Sequence, residues 1–244
     1  DLVGDDRPEV LVAERILHAL HADGTEAAFF PDLGPITSVA LGDLDGDLRL
    51  EVIVALADGV VWAFDARGVV APGWPRTVEA GLGPLVVADL DGNGTSEVAV
   101  VGERRLHVLS GAGGPLLTTP VFVSGVGPPT LAAADLDADG ALDLIVARNT
   151  ATFVAEQFAT AARTVSVFTR QGQPLAGWPT QQPRTKDQHE RYAGDVVPLT
   201  LADLDGDGRA EVLFYDDEGT ALALRGDGRA VRGWPASGPV CSAP

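Results

Sequence analysis

Apolar and polar residues alternate in short stretches along the whole chain, and most of these stretches end at a glycine. Three sixteen-residue blocks match without a gap: Val60–Pro75 (VVWAFDARGVVAPGWP), Thr164–Pro179 (TVSVFTRQGQPLAGWP) and Thr220–Pro235 (TALALRGDGRAVRGWP). Two further blocks, Ile16–Pro31 and Arg105–Pro120, keep the length, a central glycine and the final proline. A period of two interrupted by a glycine turn is the pattern of a β-hairpin. The sequence therefore predicts five hairpins.

One complete repeat unit covers residues 36–75 and ends with the block Val60–Pro75. We predict a first strand over Ile36–Gly42, a second over Glu51–Leu56 and a third over Val60–Asp65; a fourth follows Arg67-Gly68 and leads to Gly73-Trp74-Pro75. Units of this kind recur every 42 to 46 residues. Four antiparallel strands at that spacing predict an all-β fold, a β-propeller of four-stranded blades. No segment shows a sustained 3.6-residue period, which excludes a solenoid of helix pairs.

A short acidic loop separates the first and second strands of each unit. The five copies, in chain order, are DLVGDDRPEV, DLDGDLRLEV, DLDGNGTSEV, DLDADGALDL and DLDGDGRAEV, beginning at Asp1, Asp43, Asp89, Asp135 and Asp203. Each complete copy offers side-chain oxygens at alternate positions, a small residue for the bend and a carboxylate at position nine. Such a set of hard oxygen ligands suits Ca²⁺.

The net charge of −18 is explained by these loops. Positions one, three, five and nine hold 18 of the 35 acidic residues, and five bound Ca²⁺ ions would leave a net charge of about −8. No basic stripe is present to contact phosphates, so nucleic-acid binding is excluded. The single cysteine, Cys241, excludes an internal disulfide framework. No apolar run approaches the ~18–20 residues of a membrane-spanning helix.

We predict one domain over residues 1–244 with five blades. The N-terminal blade, residues 1–34, lacks a first strand, and the tail at 238–244 resembles the first strand at 83–88. The tail is therefore expected to complete that blade and close a five-bladed ring, which would hide its sheet edges. The alternative is that the chain is part of a seven- or eight-bladed ring. The chain opens inside a motif and without Met, which favours a processed product or a piece of something longer.

Two insertions lengthen the unit between the fourth and fifth loops. The first, of about 12 residues within 149–163, lies between the second and third strands, and its alanine-rich sequence predicts a short helix. The second, of about 10 residues within 180–195, is polar and predicts a surface loop. Insertions in repeat proteins often form the binding face.

Loop and blade together resemble the FG-GAP/VCBS repeat, the unit of integrin alpha-subunit propellers and of many bacterial secreted and surface proteins. The resemblance implies calcium ligands at positions one, three, five and nine, with a backbone carbonyl at position seven. For loops two to five these residues are Asp43, Asp45, Asp47, Arg49 and Glu51; Asp89, Asp91, Asn93, Thr95 and Glu97; Asp135, Asp137, Asp139, Ala141 and Asp143; Asp203, Asp205, Asp207, Arg209 and Glu211.

The first loop departs from the family pattern because Val3 replaces the second aspartate. Only Asp1, Asp5, the Arg7 carbonyl and Glu9 are left, so a fifth site is expected to be weak or empty. Rings of this family usually have seven blades, in contrast with the five counted here.

Aromatic and histidine side chains outside the loops suggest packing rather than chemistry. Trp74, Trp178 and Trp234 recur at one place in the blocks, which favours packing between blades over sugar stacking. His18 and His107 lie on third strands, where no catalytic role is needed. The densest polar group outside the loops is His189-Glu190-Arg191-Tyr192 in the second insertion.

The pattern as a whole predicts an extracellular, cell-surface or periplasmic module that Ca²⁺ stabilises and that binds a protein or glycan without chemistry of its own. One alternative is a polysaccharide lyase or lectin, in which His189, Arg191 and Tyr192 would be the candidates for a base and for charge neutralisation. Another is a structural subunit of a larger surface assembly. The ligand affinity of extracellular calcium modules, ~10⁻⁴–10⁻³ M, is useful only outside the cytosol.

Overall fold

Every strand in the described part of this molecule pairs antiparallel with its neighbours. The structure, a computed structural model, describes residue 2 and residues 7–121, 125–154, 157–183, 199–215 and 220–235. In these residues eighteen strands form five sheets, three of four strands and two of three, and no helix is present. The all-β prediction is therefore confirmed. No helix capable of crossing a bilayer occurs among the described residues.

The chain divides into two compact units, Asp1–Pro120 and Val121–Pro244. The first unit contains three sheets, with strand orders β1-β2-β3, β4-β5-β6-β7 and β11-β10-β9-β8. Its strands are β1 (Val10–Ala13), β2 (Ile16–Leu20), β3 (Glu26–Asp32), β4 (Ile36–Gly42), β5 (Glu51–Leu56), β6 (Val60–Phe64), β7 (Arg76–Thr77), β8 (Leu85–Ala88), β9 (Glu97–Val101), β10 (Arg105–Leu109) and β11 (Pro115–Pro120).

The second unit contains two sheets, with orders β12-β13-β14-β15 and β16-β17-β18. Its strands are β12 (Gly125–Ala134), β13 (Asp143–Val154), β14 (Gln157–Phe168), β15 (Thr180–Pro183), β16 (Thr200–Ala202), β17 (Glu211–Tyr215) and β18 (Ala221–Leu224). The place of a fourth strand in the last sheet, after Pro235, lies outside the described residues.

Strands one to three of the predicted unit are confirmed. β4 and β5 have the predicted bounds and pair from Ile36↔Leu56 to Gly42↔Glu51. All six residues of β5 are buried, because neighbouring sheets cover both of its faces. Strands buried on both faces read as continuous apolar runs, which explains the sequence EVIVAL.

The predicted position of the fourth strand is wrong in the repeat that contains β4 to β7. Residues 65–74 form turns instead: the Asp65 N–H donates to Val69 O and the Ala71 N–H donates to Ala63 O, with a single bridge between Phe64 and Val70. The fourth strand, β7, comes after Pro75. Gly73 has a φ of 88°, which bends the backbone there, and a proline has no N–H to donate to a ladder.

The helix predicted within 149–163 is also wrong. The insertion extends the second and third strands of its sheet into a long hairpin, whose pairing runs from Leu144↔Phe168 to Val154↔Gln157. Backbone pairing that continues from an existing ladder outweighs the helix propensity of the alanines, which is worth only tenths of a kcal/mol per residue. The insertion does lie between the second and third strands, as predicted.

Each unit is held together by apolar clusters that join successive sheets. In the first unit one cluster contains Leu17 and Phe30 of the first sheet with Val54 and Phe64 of the second, and another joins the second sheet to the third. In the second unit a cluster containing Ile145, Val165 and Phe214 joins β12–β15 to β16–β18. Sheet-on-sheet packing of this kind is the core of blade architectures.

The first sheet has three strands, and they correspond to the second, third and fourth strands of a blade. This matches the expectation that the N-terminal blade lacks a first strand. The segment 238–244, expected to supply it, lies outside the described residues, as do the residues 184–195 of the second insertion. Ring closure and the single domain therefore stay predictions.

Candidate metal centres

The first aspartate of each complete loop shapes the loop through both of its carboxylate oxygens. In loop two the Gly46 N–H donates to Asp43 Oδ1 at 2.7 Å, and the Leu48 N–H donates to Asp43 Oδ2 at 2.9 Å. Loops three, four and five repeat both bonds, with distances of 2.7 to 3.0 Å. The bend at position six requires a positive φ, which three loops supply with glycine and loop two with Leu48 (φ 66°).

The carboxylate at position nine begins the second strand and points back into its loop. It accepts a hydrogen bond from the N–H of position two in every repeat, with the pairs Leu2–Glu9 (2.6 Å), Leu44–Glu51 (2.8 Å), Leu90–Glu97 (2.9 Å), Leu136–Asp143 (3.1 Å) and Leu204–Glu211 (2.7 Å). One oxygen of this carboxylate therefore fixes the loop, and the other remains for a ligand.

Positions one, three and nine converge in four loops. In each group the three residues offer carboxylate oxygens that all lie within 4.8 Å of one another. The groups are Asp43, Asp45 and Glu51; Asp89, Asp91 and Glu97; Asp135, Asp137 and Asp143; Asp203, Asp205 and Glu211. The structure thus brings together three of the five ligand positions predicted from the sequence, and these four acidic clusters are candidate sites for a metal ion.

The side chains at position five are used for a turn. Asp47, Asn93, Asp139 and Asp207 each accept the N–H of position seven at 2.8 to 2.9 Å through Oδ1. None of the three aspartates belongs to the groups within 4.8 Å. Ligation by position five, and by the carbonyls of Arg49, Thr95, Ala141 and Arg209, stays a prediction.

Charge accumulates at these sites in a way that a cation would offset. Burial raises the pKa of Asp143 to about 6, and the nearby aspartates 135, 137 and 139 raise it further against the lowering effect of the Leu136 N–H. Burial likewise raises the pKa of Glu51 and of Glu97. Like charges and desolvation both disfavour the ionised carboxylate, and a divalent cation reverses both effects.

The first loop is different. Asp1 and Asp5, two of its predicted ligands, lie outside the described residues. Glu9 is fully covered, with its side chain 1% exposed, and its Oε1 atom lies 3.5 Å from His21 Nδ1. Whether this loop binds a metal stays a prediction.

A recurring contact between neighbouring repeats escaped the sequence analysis. Trp74 Nε1 donates to Gly111 O at 2.8 Å, and Trp178 Nε1 donates to Gly226 O at 2.8 Å. A Cβ on Gly111 would lie 1.8 Å from Leu44 O, so only glycine fits against the acidic loop of the preceding repeat. The sequence does contain a signal for this contact. Each block that follows a block ending in Gly-Trp-Pro has a glycine as its seventh residue.

The predicted packing role of these tryptophans is confirmed for Trp74 and Trp178. Both are 7% exposed and belong to the apolar clusters between sheets. Phe30, at the same place in the first block, is also buried and meets Phe64 edge-on, with ring centroids 5.5 Å apart.

An open groove of about 1100 Å³ lies beside loop two in the first unit. Its walls include Leu48, Val69 and Val70, which are 90%, 57% and 39% exposed, together with Arg49 and Arg67. Leu48 is unusual in two ways, because it is an apolar side chain in solvent and a non-glycine residue at positive φ.

The other residues singled out from the sequence either lie beside one or two polar side chains or lie outside the described residues. His18 Nδ1 lies 2.7 Å from Glu26 Oε1, and His107 is buried near Thr118 and Glu79. His189, Arg191 and Tyr192 lie outside the described residues, as does Cys241.

Sequence comparison identifies the repeat. The profile of the FG-GAP-like repeat matches residues 58–146. The matched region runs from the turn between β5 and β6 to β13 and contains acidic loops three and four, so the resemblance inferred from the loops is confirmed there. No curated protein sequence is significantly similar to the chain.

Solved structures with the same fold are propeller-type proteins. An exotype rhamnogalacturonan lyase, YesX, aligns with a TM-score of 0.53 and 20% identity, covering 91% of this chain and 43% of that one. BBS1N, solved in complex with ARL6DN, aligns with a TM-score of 0.50 and 13% identity, covering 92% of this chain and 77% of that one. The chain thus spans less than half the length of the lyase, and likenesses at these identities show the fold alone.

The donor set of the four acidic clusters fits a divalent cation. Every ligand atom in the four clusters is a carboxylate oxygen, and neither histidine nor cysteine takes part. Hard oxygen donors of this kind favour Ca²⁺, Mg²⁺ or Mn²⁺ over zinc and copper.

Proposed function

We propose that this chain is an extracellular, cell-surface or periplasmic binding module whose FG-GAP-like blades are stabilised by Ca²⁺ and which catalyses no reaction. The single observation that carries the proposal is the convergence of three carboxylates in each of four loops. Every recurring acidic cluster is then used for ion binding, and none is left over as a repeated catalytic pair.

Calcium is favoured among the hard cations by the shape of the site. The three carboxylates come from a strand end and from a nine-residue loop, and an irregular set of oxygen donors of this kind suits Ca²⁺ better than the strict octahedral geometry of Mg²⁺. An affinity of ~10⁻⁴–10⁻³ M, typical of extracellular modules, would fill such sites outside a cell.

Calcium removal tests the structural role. At 10 mM Ca²⁺ a single site with that affinity adds about 1.4–2.7 kcal/mol to the free energy of unfolding. We expect Ca²⁺ to raise the melting temperature of the chelator-treated protein by many degrees, as followed by circular dichroism. Asp91→Asn should reduce this gain.

The matched control is Asp23→Asn. Asp23 accepts the Thr25 N–H in a turn, as Asp91 accepts the Asn93 N–H, but Asp23 belongs to no acidic cluster. A melting temperature that neither chelator nor Ca²⁺ changes would end the structural role of the ion.

For the ligand, the groove beside loop two favours a glycan over a protein partner. Its concave volume of about 1100 Å³ is close to that of pockets for small ligands, ~300–1,000 Å³, whereas a protein partner usually needs a wider surface. Its walls combine exposed apolar side chains with the charged groups of Arg49, Asp65 and Arg67, which suits the mixed apolar and hydroxylated faces of a sugar.

Leu48→Gly tests this groove without harming the fold. Glycine occupies the same position in loops three to five and relieves a positive φ, so stability should stay the same or rise by up to about 1 kcal/mol. Binding to a panel of acidic and neutral polysaccharides, measured by biolayer interferometry, should weaken in the variant. Equal binding by both proteins would exclude this groove as the glycan site.

The competing hypotheses are a polysaccharide lyase and a structural subunit of a surface assembly. Unsaturated products formed from an acidic polysaccharide, and lost in His189→Ala or Arg191→Ala, would overturn the binding-only proposal. Binding to no polysaccharide, together with capture of a defined protein partner, would favour the assembly.

A further inference from the structure

The residue that follows the third strand differs in charge from repeat to repeat. It is the sixth residue of each block and stands beside the turn that closes the hairpin. In chain order these residues are His21, Asp65, Ser110, Thr169 and Arg225. A protonated basic side chain is guaranteed only in the fifth repeat, because an arginine keeps its charge at all ordinary pH values.

Arg225 extends toward the acidic loop of its own repeat. Its Nη2 and Nε atoms donate to Asp205 Oδ2 at 2.5 Å and 3.1 Å. Asp205 holds position three of loop five, and its carboxylate converges with those of Asp203 and Glu211. The guanidinium therefore already contacts an oxygen donor of a candidate ion site.

The other three complete loops lack this contact. In the part of the chain that the structure describes, Asp45, Asp91 and Asp137, which hold position three, form no ion pair with a basic side chain. The carboxylates of loops two to four at position three thus carry no paired guanidinium, although all four clusters bring three carboxylate oxygens within 4.8 Å of one another.

We infer that Arg225 is an internal counter-ion of loop five and that it lowers the affinity of this loop for Ca²⁺ below that of loops two to four. The inference rests on the proposed function, since it assumes that these loops bind the ion. The four sites then fill in an order, with loop five last.

The effect follows from charge. A cation entering loop five must either displace the guanidinium from Asp205 or bind within a few ångströms of a positive group. The side chains of Arg225 and Asp205 are 44% and 24% exposed, so solvent screens the pair and the penalty is modest. Exposed pairs of this kind change an equilibrium by about three- to fivefold.

The first repeat supports the same geometry independently. His21, at the place of Arg225, lies 3.5 Å from Glu9 Oε1, which is the position-nine carboxylate of its own loop. The residue after the third strand therefore faces the acidic loop in both repeats, from opposite ends of the chain.

A calcium titration followed by nuclear magnetic resonance tests the inference loop by loop. The amide signals of Gly206 and Gly208 report loop five, and those of Gly92 and Gly94 report loop three, because these N–H groups bond to the position-one carboxylates. Chelator-treated full chain is titrated with Ca²⁺ alone, as wild type, Arg225→Gln and Arg229→Gln.

Arg229→Gln is the matched control. Arg229 lies in the same hairpin turn and pairs with Asp227, which belongs to no acidic cluster, and its replacement removes the same charge. In the wild type we expect the loop-five midpoint at a higher calcium concentration than that of loop three. Arg225→Gln should lower the loop-five midpoint about three- to fivefold and leave loop three unchanged, and Arg229→Gln should do much less.

Two results would overturn the inference, and they are distinguishable. If loop three responds to Ca²⁺ but the loop-five midpoint is the same in Arg225→Gln and in the control, Arg225 is not a counter-ion and the proposed function stands. If the amides of no loop respond to millimolar Ca²⁺, the proposed function fails and this inference fails with it.

Discussion

Two junctions in the first unit join neighbouring sheets by different means. Between the first and second repeats, Phe30 packs edge-on against Phe64, and Ala66 lies against the same cluster. Between the second and third repeats, Trp74 takes the place of Phe30, Gly111 takes the place of Ala66, and a hydrogen bond joins the two. A bulky ring is common to both, but only the second junction requires glycine.

The difference shows how one aromatic position sets the residue opposite it. An indole N–H that is buried needs an acceptor. The Gly111 carbonyl supplies one, with its backbone pressed against Leu44 O. Phenylalanine has no N–H that needs an acceptor, so Ala66, the residue equivalent to Gly111, keeps its Cβ.

A second difference lies around Glu79. In the second junction, Glu79 accepts the N–H groups of Arg104 and Arg105, and His107 Nε2 lies 3.5 Å from its Oε1. The corresponding residues of the first junction, Pro35 and Trp62, cannot ionise. At these two positions, only the second junction has ionisable groups through which pH can change its stability.

The largest expected effect comes from removing the rings. Trp74→Ala should lower the free energy of unfolding by about 3–5 kcal/mol, because it leaves a cavity and an unpaired carbonyl. Phe30→Ala should cost about 1 kcal/mol less, since no hydrogen bond is lost. Urea denaturation measures both. A smaller cost at Trp74 than at Phe30 would contradict the comparison.

Next in size is the effect of adding a Cβ at the second junction. Gly111→Ala places a methyl group 1.8 Å from Leu44 O, and backbone must move to accept it, at a cost of about 1–3 kcal/mol. The reverse change at the first junction, Ala66→Gly, should cost only about 0.5–1 kcal/mol of backbone entropy. Unfolding curves that show Gly111→Ala to be neutral would mean that the junction is looser than described.

Removing only the indole N–H has a smaller expected effect. Trp74→Phe makes the second junction resemble the first and should cost about 1 kcal/mol for the lost hydrogen bond. Trp62→Phe is the control, because within the described residues its indole makes no hydrogen bond while its ring stacks on Phe64. Equal costs for the two changes would show that the bond to Gly111 O contributes nothing.

The smallest expected effect is that of pH. Burial lowers the pKa of His107, against the raising effect of Glu79, so the folded state binds the proton less readily than the unfolded chain does. Stability should therefore fall as the pH falls through the unfolded value of about 6.5. His107→Asn should remove this part of the pH dependence. Parallel stability-versus-pH curves for variant and wild type would contradict the assignment.

The acidic loops and the first three strands could be predicted from the sequence because both are local. A continuous apolar run marks β5 as a buried strand, and the spacing of carboxylates fixes the loop between Gly42 and Glu51. The convergence of positions one, three and nine followed from the resemblance and agrees with the structure.

The features that were predicted wrongly or missed depend on contacts that residue spacing does not encode. The five blocks have equal length, yet β3 and β11 run directly through the region where Gly73-Trp74-Pro75 delays β7. The insertion within 149–163 has helix-forming alanines, but a ladder already present between Leu144 and Phe168 extends through it. Gly111 acquires its role only from the carbonyl of another repeat.

The hydrogen bond that the N–H of position two donates to the carboxylate of position nine has a consequence for how quickly ions exchange. Since each carboxylate at the strand entrance is already held by its own loop, in all five repeats, a cation meets donors that need little rearrangement. Under the proposed function, uptake and release of Ca²⁺ would then proceed without local unfolding, and the loops would respond to the ion concentration around a folded molecule.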